Sequence, residues 1–153
     1  MNTQQDVKLT EFKQMLKKHS LKATPQRLAV HIAMMELGHA SADMVTDYII
    51  KNSETKITTA SVYNILTQLA NIGIYNHRMT PNNKMYFDVN TFKHIHLYDS
   101  VNQTFTDILD EELMALINSH LKKRRFRGYS VDNIDIQLIA HPTRKKTISN
   151  SSF

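Results

Sequence analysis

Hydrophobic residues recur at helical spacing in four stretches of the first half of the chain, then switch to strand-like alternation. After a polar start at 1–6, expected to be frayed, Leu9, Phe12, Met15 and Leu16 make the apolar face of a helix over 7–19. Thr24-Pro25 opens a second helix, with the hydroxyl as cap and proline at the first helical position; Leu28, Ile32 and Met35 form its stripe and Gly38 ends it. Ser41 caps a third, with Asp43 in its first turn and Val45, Tyr48 and Ile49 facing inward. A fourth starts at Thr58 or Thr59, stops at Gly73 and buries Val62, Ile65, Leu66, Leu69 and Ile72.

Beyond Gly73 the period shortens to that of a strand. Segments 74–79 and 84–89 flank the turn Thr80-Pro81-Asn82-Asn83. In 93–98, His94 and His96 share one face and Ile95 and Leu97 the other; 99–102 is a turn and 103–108 returns. The tightest register pairs Tyr98 with Gln103, His96 with Phe105 and His94 with Asp107, and a slip of one residue destroys it. Asp110-Glu111-Glu112 begins a helix with Leu113, Leu116, Ile117 and Leu121 as its apolar positions. Ile134, Ile136, Leu138 and Ala140 alternate as a third strand, and from Pro142 the tail is polar, basic and expected to be disordered.

Helices followed by a hairpin is the order of a winged helix. The expected fold class is α+β, an N-terminal winged-helix DNA-binding domain (1–86), a hinge (87–91), a small α/β dimerisation domain (92–141) and a tail (142–153). On the fourth helix, Ser61, Tyr63, Asn64, Gln68 and Asn71 leave a face with few charges. Hydroxyls and amides meet base edges in a major groove and a tyrosine ring packs on thymine methyls, although an ordinary solvated face has the same composition. Lys22, Arg27, Arg78 and Lys84 are candidates for phosphate contacts, Lys22 also for the minor groove. The basic run 122–127 reads as a DNA contact or as cations at a helix end.

Composition narrows the chemistry. With 41% hydrophobic residues in 153, one large or two small cores can form. No apolar run is long enough to span a bilayer and no signal-peptide pattern opens the chain, so a cytoplasmic protein with no membrane partner is expected. A formal charge of +5 suits a polyanion. The absence of cysteine excludes disulfides and thiolate-held zinc. Asp88, His94, His96 and Asp107 then form a nitrogen and oxygen donor set suited to Fe(II), Mn(II) or Zn(II), the alternative being an exposed histidine pair. Three strands and one helix bury little alone, so a homodimer is expected.

Three blocks, Leu21-Lys22-Ala23-Thr24-Pro25-Gln26-Arg27, His39-Ala40-Ser41-Ala42 and Ile57-Thr58-Thr59-Ala60-Ser61-Val62-Tyr63, with Gly73 after them, resemble the ferric uptake regulator family of bacterial metal-dependent repressors. The resemblance covers about Leu9 to His141 and is greatest to the peroxide-sensing branch. That branch implies a regulatory Fe(II) or Mn(II) at His39, Asp88, His94, His96 and Asp107, with Zn(II) a further occupant in purified protein. Aspartate at 107 rather than glutamate, and Asn64 where iron sensors commonly carry arginine, point to peroxide. Asp99, Asn102, Pro142 and Lys145 stand where the family usually has two Cys-x-x-Cys pairs, so no structural zinc is expected and the second domain must hold together by packing alone. Lys93, Ile95 and Ile134 replace ligands of an additional site, and His19, His31, His77, His120 and His141 are read as structural or exposed.

The resemblance implies a repressor of palindromic operator DNA in which metal closes the hinge and peroxide, reduced at Fe(II), oxidises His39 or His94. A metal-uptake regulator (Fe, Mn or Zn) without oxidation chemistry and a DNA binder with a vestigial site use the same architecture. A metal-dependent hydrolase is the reading from another class, weakened by the lack of an evident general base.

Overall fold

Hydroxyl caps start three of the helices in the computed structural model, which describes residues 3–89, 94–131 and 134–144. The chain forms two compact units, Met1–Thr91 and Phe92–Phe153. Residues 90 and 91 of the expected hinge, Lys93, and 145–153 of the expected tail lie outside the described residues.

In the first unit, helix α1 (Thr3–Lys18) begins before the expected start at residue 7, so most of the polar opening is helical. Helix α2 (Pro25–Leu37) is capped by Thr24, whose hydroxyl accepts from the Arg27 amide. Ser41 and Thr58 do the same for α3 (Ala42–Asn52) and α4 (Thr59–Asn71) through the amides of Met44 and Ser61. Each such cap satisfies an amide that the helix itself leaves without a partner. The buried side of α2 is Ala29, Val30, His31, Ala33 and Met34. The predicted stripe of Leu28, Ile32 and Met35 is only half-buried, because α2 packs against α1, α3 and α4 and so buries a broader arc than one amphipathic face.

A strand of two residues follows, β1 (His39–Ala40), which periodicity does not predict. Gly38 takes φ 72°, a left-handed value that suits glycine, and turns the chain from α2 into β1. Strands β2 (Asn76–Met79) and β3 (Met85–Asp88) form the hairpin, and the sheet order is β1-β3-β2. Three helices around an apolar core, with α4 leading to a hairpin, make the winged-helix arrangement.

The second unit is a sheet of order β5-β4-β6, from β4 (Ile95–Asp99), β5 (Thr104–Ile108) and β6 (Gln137–Ala140), with helix α5 (Glu111–Lys122). β4 pairs antiparallel with β5 and parallel with β6. Asp110 caps α5 by accepting from the Leu113 amide at 2.9 Å. Of the side chains on α5 only Met114 is buried, while Leu116 is 62% exposed. No described helix is long and apolar enough to cross a membrane.

His31 lies in the first core, its ring stacked on Phe12 at 3.8 Å between centroids and its Nδ1 2.7 Å from the Tyr75 hydroxyl. Burial pushes the Tyr75 phenol up and the His31 imidazole down to about 4, so the phenol donates to a neutral ring. The folded value of His31 lies below its ordinary 6.5, so the unfolded chain binds the extra proton. The stability owed to a neutral His31 is therefore complete above pH 6.5 and drains away as pH falls toward 4. Urea unfolding across that window should show a loss of up to about 1.4 kcal/mol per pH unit from this group, and His31→Phe should remove that share of the slope.

Candidate metal centre

In each unit an imidazole faces a carboxylate across one rung of an antiparallel ladder. On the first, β1 places His39 opposite Asp88 of β3, with Nδ1 3.6 Å from Oδ2. Asp88 is 1% exposed. A carboxylate taken out of water in this way is costly unless positive charge or donors face it.

In the second unit β4 and β5 place His96 opposite Asp107. The expected register set His94 opposite Asp107; the observed one is shifted by two residues, from Tyr98↔Gln103 to Tyr98↔Phe105. The cause is the turn. Asp99 stays in the ladder opposite Thr104, and its carboxylate accepts the amides of Val101 at 2.9 Å and Asn102 at 3.0 Å. Gln103 then takes φ 55°, and its amide donates to the Asp99 carbonyl. A shift by an even number leaves every side chain on its predicted face, so both imidazoles and Asp107 still converge. His94 Nε2 lies 2.7 Å from His96 Nε2 and 3.2 Å from Asp107 Oδ1, and His96 Nε2 lies 3.8 Å from that oxygen. Both rings are buried.

These donors suit a metal ion. Two ligand atoms about 2.1 Å from one ion and at right angles stand about 3 Å apart, and the observed spacings bracket that value. Two histidine lone pairs aimed at one point repel unless a proton or cation lies between them, and the nitrogen and oxygen donors match a borderline divalent ion. His31 is structural, as expected, and His19, His77, His120 and His141 are exposed. Sequence reasoning missed Asp135, whose Oδ1 lies 3.8 Å from His96 Nδ1. A cleft of about 910 Å³ lies elsewhere in the second unit, lined by Arg124, Arg125, Phe126, Arg127 and Tyr129 among others. Only Lys122 of the basic run lies within α5.

The candidate DNA-facing residues divide. On α4, Tyr63 and Asn64 are exposed, and the Tyr63 ring meets Phe87 edge-on at 6.3 Å. Ser61 takes part in the cap, its Oγ accepting from Thr58 Oγ1 at 3.0 Å. Lys22 and Lys84 are exposed, Lys84 at the hairpin tip. Arg27 donates to the Lys22 carbonyl at 2.8 Å and to Gln68 Oε1 at 3.0 Å, tying α2 to α4. Arg78, expected at a phosphate, is 6% exposed; its strand alternates so that His77 and Met79 face outward and Arg78 does not.

The model of the Ferric uptake regulator family matches residues 18–138. A comparison with curated proteins found no significant match. Among solved structures, the ferric uptake regulator of Vibrio cholerae aligns at TM-score 0.72 and 23% identity over 85% of this chain and 98% of that one. The ferric uptake regulator of Helicobacter pylori aligns at 0.72 and 19% over 94% and 96%. The peroxide stress regulator of Campylobacter jejuni aligns at 0.64 and 29% over 86% and 96%.

The turn that sets the His96 and Asp107 rung can be tested on its own. Hydrogen bonds from Asn102, backbone first and then side chain, hold the Asp99 carboxyl below its ordinary 3.8. Its stabilising contribution is thus present above pH 3.8 and lost as pH falls through the lower folded value. Carbon-detected NMR should place the Asp99 midpoint below 3.8, and Asp99→Ala should speed amide exchange at Val101 and Asn102.

Proposed function

Because the chain belongs to the ferric uptake regulator family, whose members are metal-responsive transcription regulators rather than enzymes, we propose that it is a repressor that senses peroxide through a regulatory Fe(II). The observation that carries this reading is the donor set: His94 and His96 with Asp107 in one unit, His39 with Asp88 in the other, and no cysteine in the chain to offer a thiol alternative. The 29% identity to the Campylobacter jejuni peroxide stress regulator supports the peroxide branch.

On this reading His39, Asp88, His94, His96 and Asp107 hold one Fe(II) or Mn(II), so that ligands from both units share an ion. A bound Fe(II) would supply reducing electrons to peroxide, itself becoming Fe(III), and His39 or His94 would be the imidazole that takes up the oxygen. The oxidised imidazole no longer donates its lone pair, and affinity falls. A ligand shared between two units selects the arrangement in which all its donors converge, and in a cytoplasmic homodimer that arrangement fixes the separation of the two α4 helices. A two-fold dimer reads a palindromic operator with half-sites about 34 Å apart or a multiple of it. Tyr63, Asn64 and Ser61 face base edges, and Lys22 and Lys84 take phosphates. Arg27 supports α4 through Gln68, and Arg78 is withdrawn from the DNA set by its burial. A metal-uptake regulator would use the same five donors without the oxidation.

Intact-mass analysis after peroxide separates the two. Fe-loaded protein should gain one oxygen mapping to His39 or His94, Mn-loaded protein none; an unmodified Fe form that still binds operator only with metal would make the chain an uptake regulator. His39→Ala should weaken metal-dependent operator binding by more than about tenfold, and an unchanged affinity would make the site vestigial.

The dimer has its own prediction. Leu116 at 62% and Ile139 at 63% exposure are apolar side chains in the second unit that a second copy would cover. Sedimentation of Leu116→Glu and Ile139→Glu should show the dimer weakened by two or more powers of ten, given about 3 kcal/mol for burying an unpaired charge.

A further inference from the structure

We propose that Asp135 is a positioning residue for His96: its carboxylate faces Nδ1 at 3.8 Å, beyond hydrogen-bond distance here, and closes on the Nδ1 proton when Nε2 takes the ion, so keeping the Nε2 lone pair turned toward it. The inference rests on the metal reading above and names a member of the site that the ligand motif does not contain.

The two nitrogens of the His96 ring face different groups. Nε2 lies 2.7 Å from His94 Nε2 and 3.8 Å from Asp107 Oδ1, whereas Nδ1 lies 3.8 Å from Asp135 Oδ1. The backbone brings Asp135 there. β6 runs parallel to β4 with Gln137 opposite His96, and the His96 amide donates to the Ile136 carbonyl at 3.0 Å. Asp135 stands two residues before Gln137, just ahead of β6, where its carboxylate comes to the Nδ1 side of the His96 ring. The side chains differ in burial, 2% exposed for His96 and 48% for Asp135, so the carboxylate stays hydrated while reaching a ring that is not. That division suits an acceptor at the rim of a site, because the carboxylate keeps its hydration and avoids a large desolvation cost.

The chemistry requires such a partner. An imidazole that binds a metal through Nε2 must be neutral and must carry its proton on Nδ1. A carboxylate at Nδ1 holds that tautomer, fixes the ring against rotation about its χ angles and makes Nε2 more basic. Asp107 cannot do this for His96, since it lies beside the other ring nitrogen.

The test uses the full chain titrated with Mn(II), with free ion followed by electron paramagnetic resonance. Asp135→Ala should bind Mn(II) about ten- to a hundredfold more weakly, and Asp135→Asn, which keeps an oxygen acceptor, should lose less. Nitrogen-15 spectra of the Zn(II)-loaded protein should show the His96 proton on Nδ1, with its signal broadened by exchange in Asp135→Ala and restored in Asp135→Asn; a purely structural role would not move that signal. Wild-type affinity in Asp135→Ala, or a His96 proton on Nε2 in the loaded wild-type protein, would overturn the inference while leaving the metal site standing. A wild-type chain that takes up no Mn(II) would overturn the site and the inference together. Should Asp135→Ala fail to fold, the Asp135→Asn titration and the wild-type spectrum still decide.

Discussion

A histidine across a ladder rung from an aspartate, once in each unit, is the constraint on which the rest of this structure bears. His39 meets Asp88 because a strand of two residues is laid against β3, and His96 meets Asp107 because the β4–β5 turn closes at Asp99. A rung fixes Cβ atoms about 5 Å apart, which is the distance at which an imidazole and a carboxylate can share an ion but do not fully satisfy each other. The surrounding elements serve that placement. Gly38 turns the chain into β1, Thr80 and Lys84 close the hairpin that carries β3, and the amide bonds at Asp99 set which β5 residue faces His96.

The elements that were legible in the sequence are those whose signal is local. A hydroxyl before an apolar periodic run locates the starts of α2, α3 and α4 at Thr24, Ser41 and Thr58, and alternation locates the face shared by His94 and His96. The failures are those where tertiary partners decide. Two residues have no period, so β1 left no mark beyond the glycine before it. The register depended on side-chain bonds to turn amides, which composition identifies as a turn but does not phase. Arg78 reads as a phosphate contact because arginine usually is exposed, yet strand alternation turned it inward. Asp135 was invisible because its partner is 39 residues away in sequence and is met only through a parallel pairing.

The second unit also shows how the chain manages without thiolate zinc. Packing alone was expected to hold it, and that expectation was incomplete. Asp99 and Asn102, at positions where the family resemblance leads one to look for cysteines, bind each other, with Asn102 Nδ2 donating to Asp99 Oδ2 at 2.8 Å. The neighbouring Ser100 donates to the Ala140 carbonyl from its amide at 2.9 Å and from its hydroxyl at 3.0 Å. Those two bonds join the β4–β5 turn to the end of β6. A metal ion can contribute on the order of 10 kcal/mol to the folding of a small domain, and exposed hydrogen bonds contribute far less. The unit is left with apolar side chains on α5 and β6 exposed, the kind of surface that a second copy would cover.

That balance bears on how a regulatory ion would act. Driving a two-state equilibrium from one part in a hundred to the reverse takes about 5.5 kcal/mol of differential affinity. Neither donor set is strong alone: a lone imidazole with one carboxylate, or two imidazoles with one carboxylate, is fewer ligands than a six-coordinate ion takes. If the five groups were shared as proposed, the ion would prefer one arrangement, because it would lose ligands in every other. On the proposed peroxide reading, oxidation of a single imidazole would not need to destroy the site to release the DNA. Removing about 1.4 kcal/mol changes the ratio tenfold, so a site poised near the threshold converts loss of one ligand into loss of the closed state. Asp135 fits the same logic, since by holding His96 ready it raises the affinity of the converged arrangement without adding a ligand that could be oxidised in its place.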